Sequence, residues 1–218
     1  MLTNIDHIKN IIFDLGGVIL DIDLAKGIEA MKKLGIRDFE SGDNKLNRTD
    51  SFLEYEKGLI TDDEFFEKLK KESGVDFRDE DFIEAWNKII VGFQNEPVDL
   101  VYKLNRSDRF RTFLLSNTNA LHKELYTSIL KEQYSIAGLE DLFEKAYFSH
   151  EIYMRKPDAE IYHYVLKDAG MNPEETLFID DSEPNINTAS SLGMETYHLV
   201  NGITINDLFP EQQVARWI

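Results

Sequence analysis

The chain has 218 residues, is 42% hydrophobic, and carries 41 acidic against 24 basic residues, for a formal net charge of −17. Such a surface argues against nucleic acid and anionic membranes as partners, since both are bound through basic patches. Cysteine is absent, which excludes disulfides, thiol catalysis and cysteine-ligated zinc.

The opening "MLTNIDHIKN" lacks a basic stretch followed by an apolar one, so no signal peptide is expected. No apolar run approaches the roughly 18 to 20 residues that a membrane span needs. A soluble, cytoplasmic protein is the expectation. Length and composition suit one large domain, or one domain with an insertion. Monomer and homodimer both stay open.

In chain order, "KNIIFDLGG" is an apolar strand running into Asp14 and a Gly-Gly turn, Gly16-Gly17. Nearly a hundred residues without a good strand candidate follow. Their segments "LAKGIEAMKKLG", "SFLEYEKG", "TDDEFFEKLKKESG" and "DEDFIEAWNKIIVGF" read as helices. Thr61 with Glu64 predicts a capping box. Phe65, Phe66 and Leu69, then Phe82, Ile83, Trp86, Ile89 and Ile90, recur at helical spacing and predict a small helical core.

The strand pattern resumes with "FRTFLLSNTN" (110–119), "KAYFSH" (145–150), "TLFIDDSE" (176–183) and "TYHLV" (196–200). Between them, "PDAEIYHYVLKDAG" and "EPNINTASSLG" read as helices stopped by Gly170 and Gly193. Apolar strands alternating with helices indicate an α/β fold built on a parallel sheet. The helical block is then an insertion after the first strand, giving a core over 1–20 and 95–218 and a helical unit over 21–94.

Ligands of open parallel sheets bind beyond the carboxyl ends of the strands. Four stations converge there: Asp14; Ser116 with Asn117; Lys156 of "MRKPDAEIY"; and Asp180-Asp181. Taken singly, each has an ordinary structural reading. Asp181 or Ser182 would cap a helix, Ser116-Asn117-Thr118 would form a turn, and Lys156 would lie on the surface before Pro157 in a first helical turn. Together they suit phosphoryl transfer through an aspartyl intermediate. Mg²⁺ favours a few carboxylates plus a substrate phosphate. Asp14 with Asp180 or Asp181 would supply the carboxylates, Lys156 would offset charge, and Ser116 with nearby backbone N–H groups would bind phosphate oxygens.

In order and strand context, "FDLGGV", "LLSNTN", "MRKPDAEIY" and "FIDDSEPNI" resemble the four motifs of the haloacid dehalogenase-like hydrolase superfamily, and the likeness spans essentially the whole chain. It implies a Rossmann-like core with a small helical cap inserted after the first strand. "DLGGVILDID" and "KGLITDDEFFEKL" are similar to bacterial sugar-phosphate phosphatases, including α-glucose-1-phosphatase. The resemblance makes Asp14 the nucleophile and a metal ligand, and makes Ser116, Asn117, Lys156 and Gly17 the phosphate-binding set. Asp14, Asp180, Asp181 and the Gly16 carbonyl would hold Mg²⁺, with Asn185 nearby. The implied partner is a small phosphorylated metabolite such as a hexose phosphate.

One departure stands out. The superfamily's phosphatases usually carry an aspartate two residues after the nucleophile, for proton transfer, and here that position is Gly16, as in the sugar-phosphate phosphatases it is similar to. Either Asp21 or Asp23 swings in, or the leaving group needs little protonation. Two competing readings remain: a 2-haloacid dehalogenase, opposed by the anionic Asp180-Asp181 pair, and a catalytically silent phosphate-binding protein, supported by Gly16 alone. Within the cap, Arg48, Glu54, Tyr55 and Lys57 are candidates to face a substrate.

Overall fold

The computed structural model describes residues 5–36, 49–200 and 202–217. From the N-terminus run β1 (Asn10–Phe13), β2 (Leu20–Ile22), α1 (Leu24–Lys33), α2 (Asp50–Glu56), α3 (Asp62–Ser73), α4 (Asp79–Asn87) and β3 (Ile90–Phe93). Next come α5 (Asn95–Asn105), β4 (Arg111–Ser116), α6 (Ala120–Tyr134), β5 (Lys145–Phe148), α7 (Ser149–Ile152) and α8 (Ala159–Asp168). β6 (Thr176–Asp180), α9 (Glu183–Ser191), β7 (Glu195–His198), α10 (Ile205–Leu208) and α11 (Glu211–Val214) complete the chain.

The five strands expected from the apolar runs form one parallel sheet in the order β5-β4-β1-β6-β7. Successive strand side chains point to opposite faces, and both faces are covered. Ile11, Phe13, Leu114 and Ile179 pack on one side with Val101, Leu104 and Leu130 of α5 and α6. On the other, Ile12, Phe113, Leu115 and Phe178 meet Ile161, Val165 and Ile186 of α8 and α9. Burial on both faces is why these strands read as continuous apolar runs. β1 therefore lies at the centre of the sheet, and its end points into the cleft beyond the strand termini.

Helices α1 to α4 bury a separate aromatic cluster of Phe65, Phe66, Phe82 and Trp86 with Met31 and Leu69, and Leu121 of α6 joins it. The capping box at Thr61 and Glu64 is formed. Tyr55 belongs to this cluster, its ring stacked on Phe65 at 4.1 Å with its hydroxyl donating to Asp62. Among the described residues no helix is long and apolar enough to cross a membrane.

Two expectations are corrected. Ile89 and Ile90 do not continue a helix: α4 stops at Asn87, and Ile90–Phe93 pairs antiparallel with Leu20–Ile22. Consecutive β-branched residues favour extended backbone, and pairing with β2 gives that backbone its hydrogen bonds. This two-stranded ladder ties the two ends of the helical block together. Pro157 is not in a first helical turn either, since α8 begins at Ala159 and the Lys156–Pro157 bond is cis.

Candidate active site

Asp14 directly follows β1, and its N–H extends the ladder to the Ile179 carbonyl at 2.9 Å. Phe13 pairs with Leu114 on one side and Ile179 on the other. The register therefore sets Asp180 at the end of β6 beside Asp14, with Ser116 ending β4 on the opposite flank. Carboxylate oxygens of Asp14, Asp180 and Asp181 come within 4.8 Å of one another.

Lys156 reaches this cluster from the loop between α7 and α8. Its Nζ donates to Asp14 Oδ1 at 2.6 Å and to Asp180 Oδ2 at 2.7 Å, and the residue is 1% exposed. Burial works against the ammonium charge, but the two carboxylates outweigh it and hold the Lys156 pKa above its usual value. Three carboxylates cluster about this one ammonium, two of them bonded to it. With all of them ionised, two negative charges remain uncompensated.

The same excess appears in the acids. Burial, aided by repulsion from Asp180, pushes Asp14 up to about 7 against the pull of Lys156. Burial and Asp180 likewise raise Asp181. A divalent cation among these oxygens would relieve the excess, and an all-oxygen donor set suits Mg²⁺.

Asp180 is fully engaged by protein donors. Oδ1 accepts from the Ser182 N–H at 2.8 Å and from Asn185 Nδ2 at 3.0 Å. Oδ2 accepts from Lys156 and again from Asn185 at 3.0 Å. That accounts for about four lone-pair sites of a carboxylate. Asp181 lies against Gly17, where a Cβ would come within 2.4 Å of Asp181 Oδ2 and where φ is +75°. Only glycine meets both conditions without strain. Ser182 occupies the N-cap of α9 without a side-chain cap bond, and Asp181 is not the cap.

Ser116 is buried at the end of β4. Asn117, expected to face phosphate, instead turns its side chain to the main chain of Lys156. Its Nδ2 donates to the Lys156 carbonyl at 2.8 Å, and its Oδ1 accepts the Lys156 N–H at 2.9 Å. No motif logic foretold this clamp, because it joins residues 39 positions apart.

Around Gly16 the outcome is definite. Gly16 forms an isolated bridge with Leu20, and a Cβ placed on it would meet only Ile22, at 3.5 and 3.7 Å. Neither nearby aspartate swings in. Asp23 is the N-cap of α1, accepting from the Lys26 N–H at 3.0 Å, and Asp21 accepts from Gln94 Nε2 at 2.6 Å. Of the other candidates, Glu54 pairs with Lys68 and Lys57 with Asp158. Tyr55 is buried among the helices, and Arg48 lies outside the described residues.

Comparison with known proteins places the fold in a family. The family profile described as haloacid dehalogenase-like hydrolase matches residues 8–193. A D-ribitol-5-phosphate phosphatase of Bacteroides thetaiotaomicron is 38% identical over 201 residues, covering 89% of this chain and 93% of that protein. A solved haloacid dehalogenase family enzyme of the same organism, in complex with magnesium, superposes with a TM-score of 0.84 at 38% identity, over 94% of this chain and 100% of that one. A predicted hydrolase of this family from Porphyromonas gingivalis gives 0.82 at 34% identity, over 94% and 100%. The L-2-haloacid dehalogenase of Xanthobacter autotrophicus, at 19% identity and 0.56 over 89% and 79%, shares the fold. The match begins at β1 and runs through every station of the cluster built on Asp14, and the chain belongs to the haloacid dehalogenase-like hydrolase family.

Proposed function

We propose that this chain is a magnesium-dependent phosphatase of a small phosphorylated sugar or polyol, working through an aspartyl-phosphate on Asp14. The observation that carries the reading is the buried Lys156 ammonium shared by Asp14 and Asp180, with Asp181 alongside. Two relatives support it: the similar protein of Bacteroides thetaiotaomicron is a D-ribitol-5-phosphate phosphatase, and a solved relative is a magnesium complex. A variant of that solved enzyme was also determined with magnesium and inorganic phosphate.

Asp14 and Asp181, with the Gly16 carbonyl, would hold Mg²⁺, while Asp180 positions Lys156 because its oxygens are already taken. Bound there, the metal supplies positive charge for the phosphoryl oxygens. A carboxylate oxygen of Asp14 attacks phosphorus and the ester P–O bond breaks. Lys156 steadies the transferring group together with the Ser116 hydroxyl, whereas the Gly17 N–H, expected to bind phosphate, is spent on the Leu20 carbonyl at 2.9 Å. Position 16 carries no acid, so the departing oxygen takes its proton from water. Water then hydrolyses the acyl phosphate and regenerates Asp14. Helices α1 to α4 act as the cap that closes over the cleft.

The test is phosphate release from ribitol 5-phosphate, glucose 1-phosphate and p-nitrophenyl phosphate, with and without Mg²⁺, for wild type and Asp14→Asn. Metal-dependent release by the wild type alone is expected, and the two sugar esters distinguish polyol from hexose specificity. No release from any ester overturns the reading in favour of a silent binding protein. Metal-independent halide release from a 2-haloacid would make the chain a dehalogenase.

A further inference from the structure

Lys156 stands between two residues that both reach into the helical layer. Arg155 Nε donates to Glu56 Oε2 at 2.6 Å, and both side chains are partly buried. Two residues beyond Lys156, Asp158 accepts from Lys57 Nζ at 3.0 Å. This leaves Asp158 at the N-cap of α8 without a side-chain cap bond. Glu56 and Lys57 are consecutive and end α2. Two neighbouring cap residues thus hold the residues flanking the one ammonium of the site.

Backbone contacts reinforce this junction. Ser149 Oγ lies 2.7 Å from the Glu56 carbonyl, and it accepts the Thr118 N–H at 2.9 Å. Gly58, at φ +67°, is pressed so closely on the core that a Cβ would lie 1.9 Å from the His150 carbonyl oxygen. The end of α2 is therefore seated on α7, which Ser149 ties to the loop after β4, ahead of the segment that delivers Lys156.

We infer that Glu56 and Arg155 are positioning residues: their ion pair, backed by Lys57 and Asp158, makes seating of the cap a condition for placing Lys156 between Asp14 and Asp180. The inference rests on the phosphatase reading only for its effect on rate. With the cap seated, the loop is held from both sides, by Asn117 within the core and by α2 above it. Lifting α2 breaks the anchor one residue from Lys156 and loosens the charge balance of the site. Closure over a substrate and completion of the catalytic cluster are then one event rather than two. A partly buried ion pair suits this role, since removing one partner leaves the other charge half-shielded from water and unpaired.

Two measurements on the full chain decide it. The first is amide hydrogen exchange over residues 154–158 in metal-free wild type and Glu56→Gln. Exchange there is expected to quicken on the order of 10-fold or more, while the β1 and β6 amides keep their protection. The second is steady-state hydrolysis of p-nitrophenyl phosphate at saturating Mg²⁺ by Arg155→Met and Arg155→Lys. A fall in kcat of about 10- to 10²-fold is expected for Arg155→Met, with a smaller change in KM and partial retention in Arg155→Lys. Unchanged exchange at 154–158, or an unchanged kcat in Arg155→Met, overturns the inference. If the wild type hydrolyses no ester, the phosphatase reading fails while the exchange experiment still decides the coupling. Should either variant fail to fold, Lys57→Gln at the more exposed pair is read by the same two measurements.

Discussion

The side chain of Asn117 grips the main chain of Lys156 at both ends, Nδ2 on the carbonyl at 2.8 Å and Oδ1 on the N–H at 2.9 Å. A primary amide is the one short side chain that offers a donor and an acceptor in this spacing. Asn117→Ala should therefore act through Lys156: kcat falls about 10- to 10²-fold while Mg²⁺ affinity, measured calorimetrically, changes little. Asn117→Asp keeps the acceptor but sets a carboxylate against the Lys156 carbonyl, so it should not restore the rate. A loss of Mg²⁺ binding in Asn117→Ala would show that the residue serves the metal instead.

Adjacent aspartates should behave differently. Asp181 has room to ligate, whereas Asp180 spends its oxygens on Ser182, Asn185 and Lys156. Asp181→Asn should weaken Mg²⁺ binding about 10-fold or more and recover rate at high metal concentration. Asp180→Asn should lose kcat without recovery and also lower the melting temperature, because the Ser182 N–H and the Asn185 amide lose their ionised acceptor. Equal Mg²⁺ dependence in the two variants would contradict this division. Gly17→Ala should resemble Asp181→Asn, since its methyl group displaces the Asp181 carboxylate.

The sheet and its four stations were legible because strands buried on both faces have an unmistakable pattern, Ile11-Ile12-Phe13 and Phe113-Leu114-Leu115 being the plainest. The β2–β3 ladder was not. Strands of three and four residues are too short to show a period, and Ile89 and Ile90 also fit the spacing of the helix before them. Tyr55 misled for another reason. A phenol is polar only at its tip, and Asp62 gives that tip a partner while the ring stacks on Phe65. Lys57 looked like a residue for substrate, and its partner Asp158 lies 101 positions away. Pairings at such separations leave no local trace.

Position 16 offers a direct experiment. Neither nearby aspartate has replaced the missing carboxylate: Asp23 caps α1, Asp21 holds Gln94, and a Cβ at Gly16 would face Ile22 at ordinary contact distance. Asp21→Asn should leave kcat unchanged. Asp23→Ala should do the same while lowering the melting temperature slightly through the lost cap. Gly16→Asp fits the available space and supplies a proton donor, so it should raise kcat for an alkyl phosphate relative to an aryl phosphate, whose leaving group needs no proton. A ratio of the two rates that does not move would show that the departing oxygen is protonated elsewhere.

The titration of Asp14 makes a final prediction, concerning the metal-free protein. Its pKa rises from an ordinary 3.8 to about 7 through burial, with repulsion from Asp180 and Asp181 adding to it and Lys156 opposing. Between these values the folded chain holds a proton that the unfolded chain has released. Stability should therefore fall as pH climbs from about 4 to about 7, and level off above. Asp181, also raised, adds a slope of the same sign. His122, which burial lowers to about 4, adds the opposite slope between that value and its ordinary 6.5, because there it is the unfolded chain that binds the extra proton. The difference between wild type and Asp14→Asn isolates the Asp14 contribution. At pH 8 and without metal, the variant should be the more stable by about 1 kcal/mol or more, some 2–4 °C in melting temperature. Mg²⁺ should reverse this order by stabilising the ionised carboxylate of the wild type, and its binding near pH 6 should release protons in the wild type and fewer in Asp14→Asn. Calorimetry in two buffers of different ionisation enthalpy measures that release. Equal release from both proteins would mean that Asp14 is already ionised before the metal arrives.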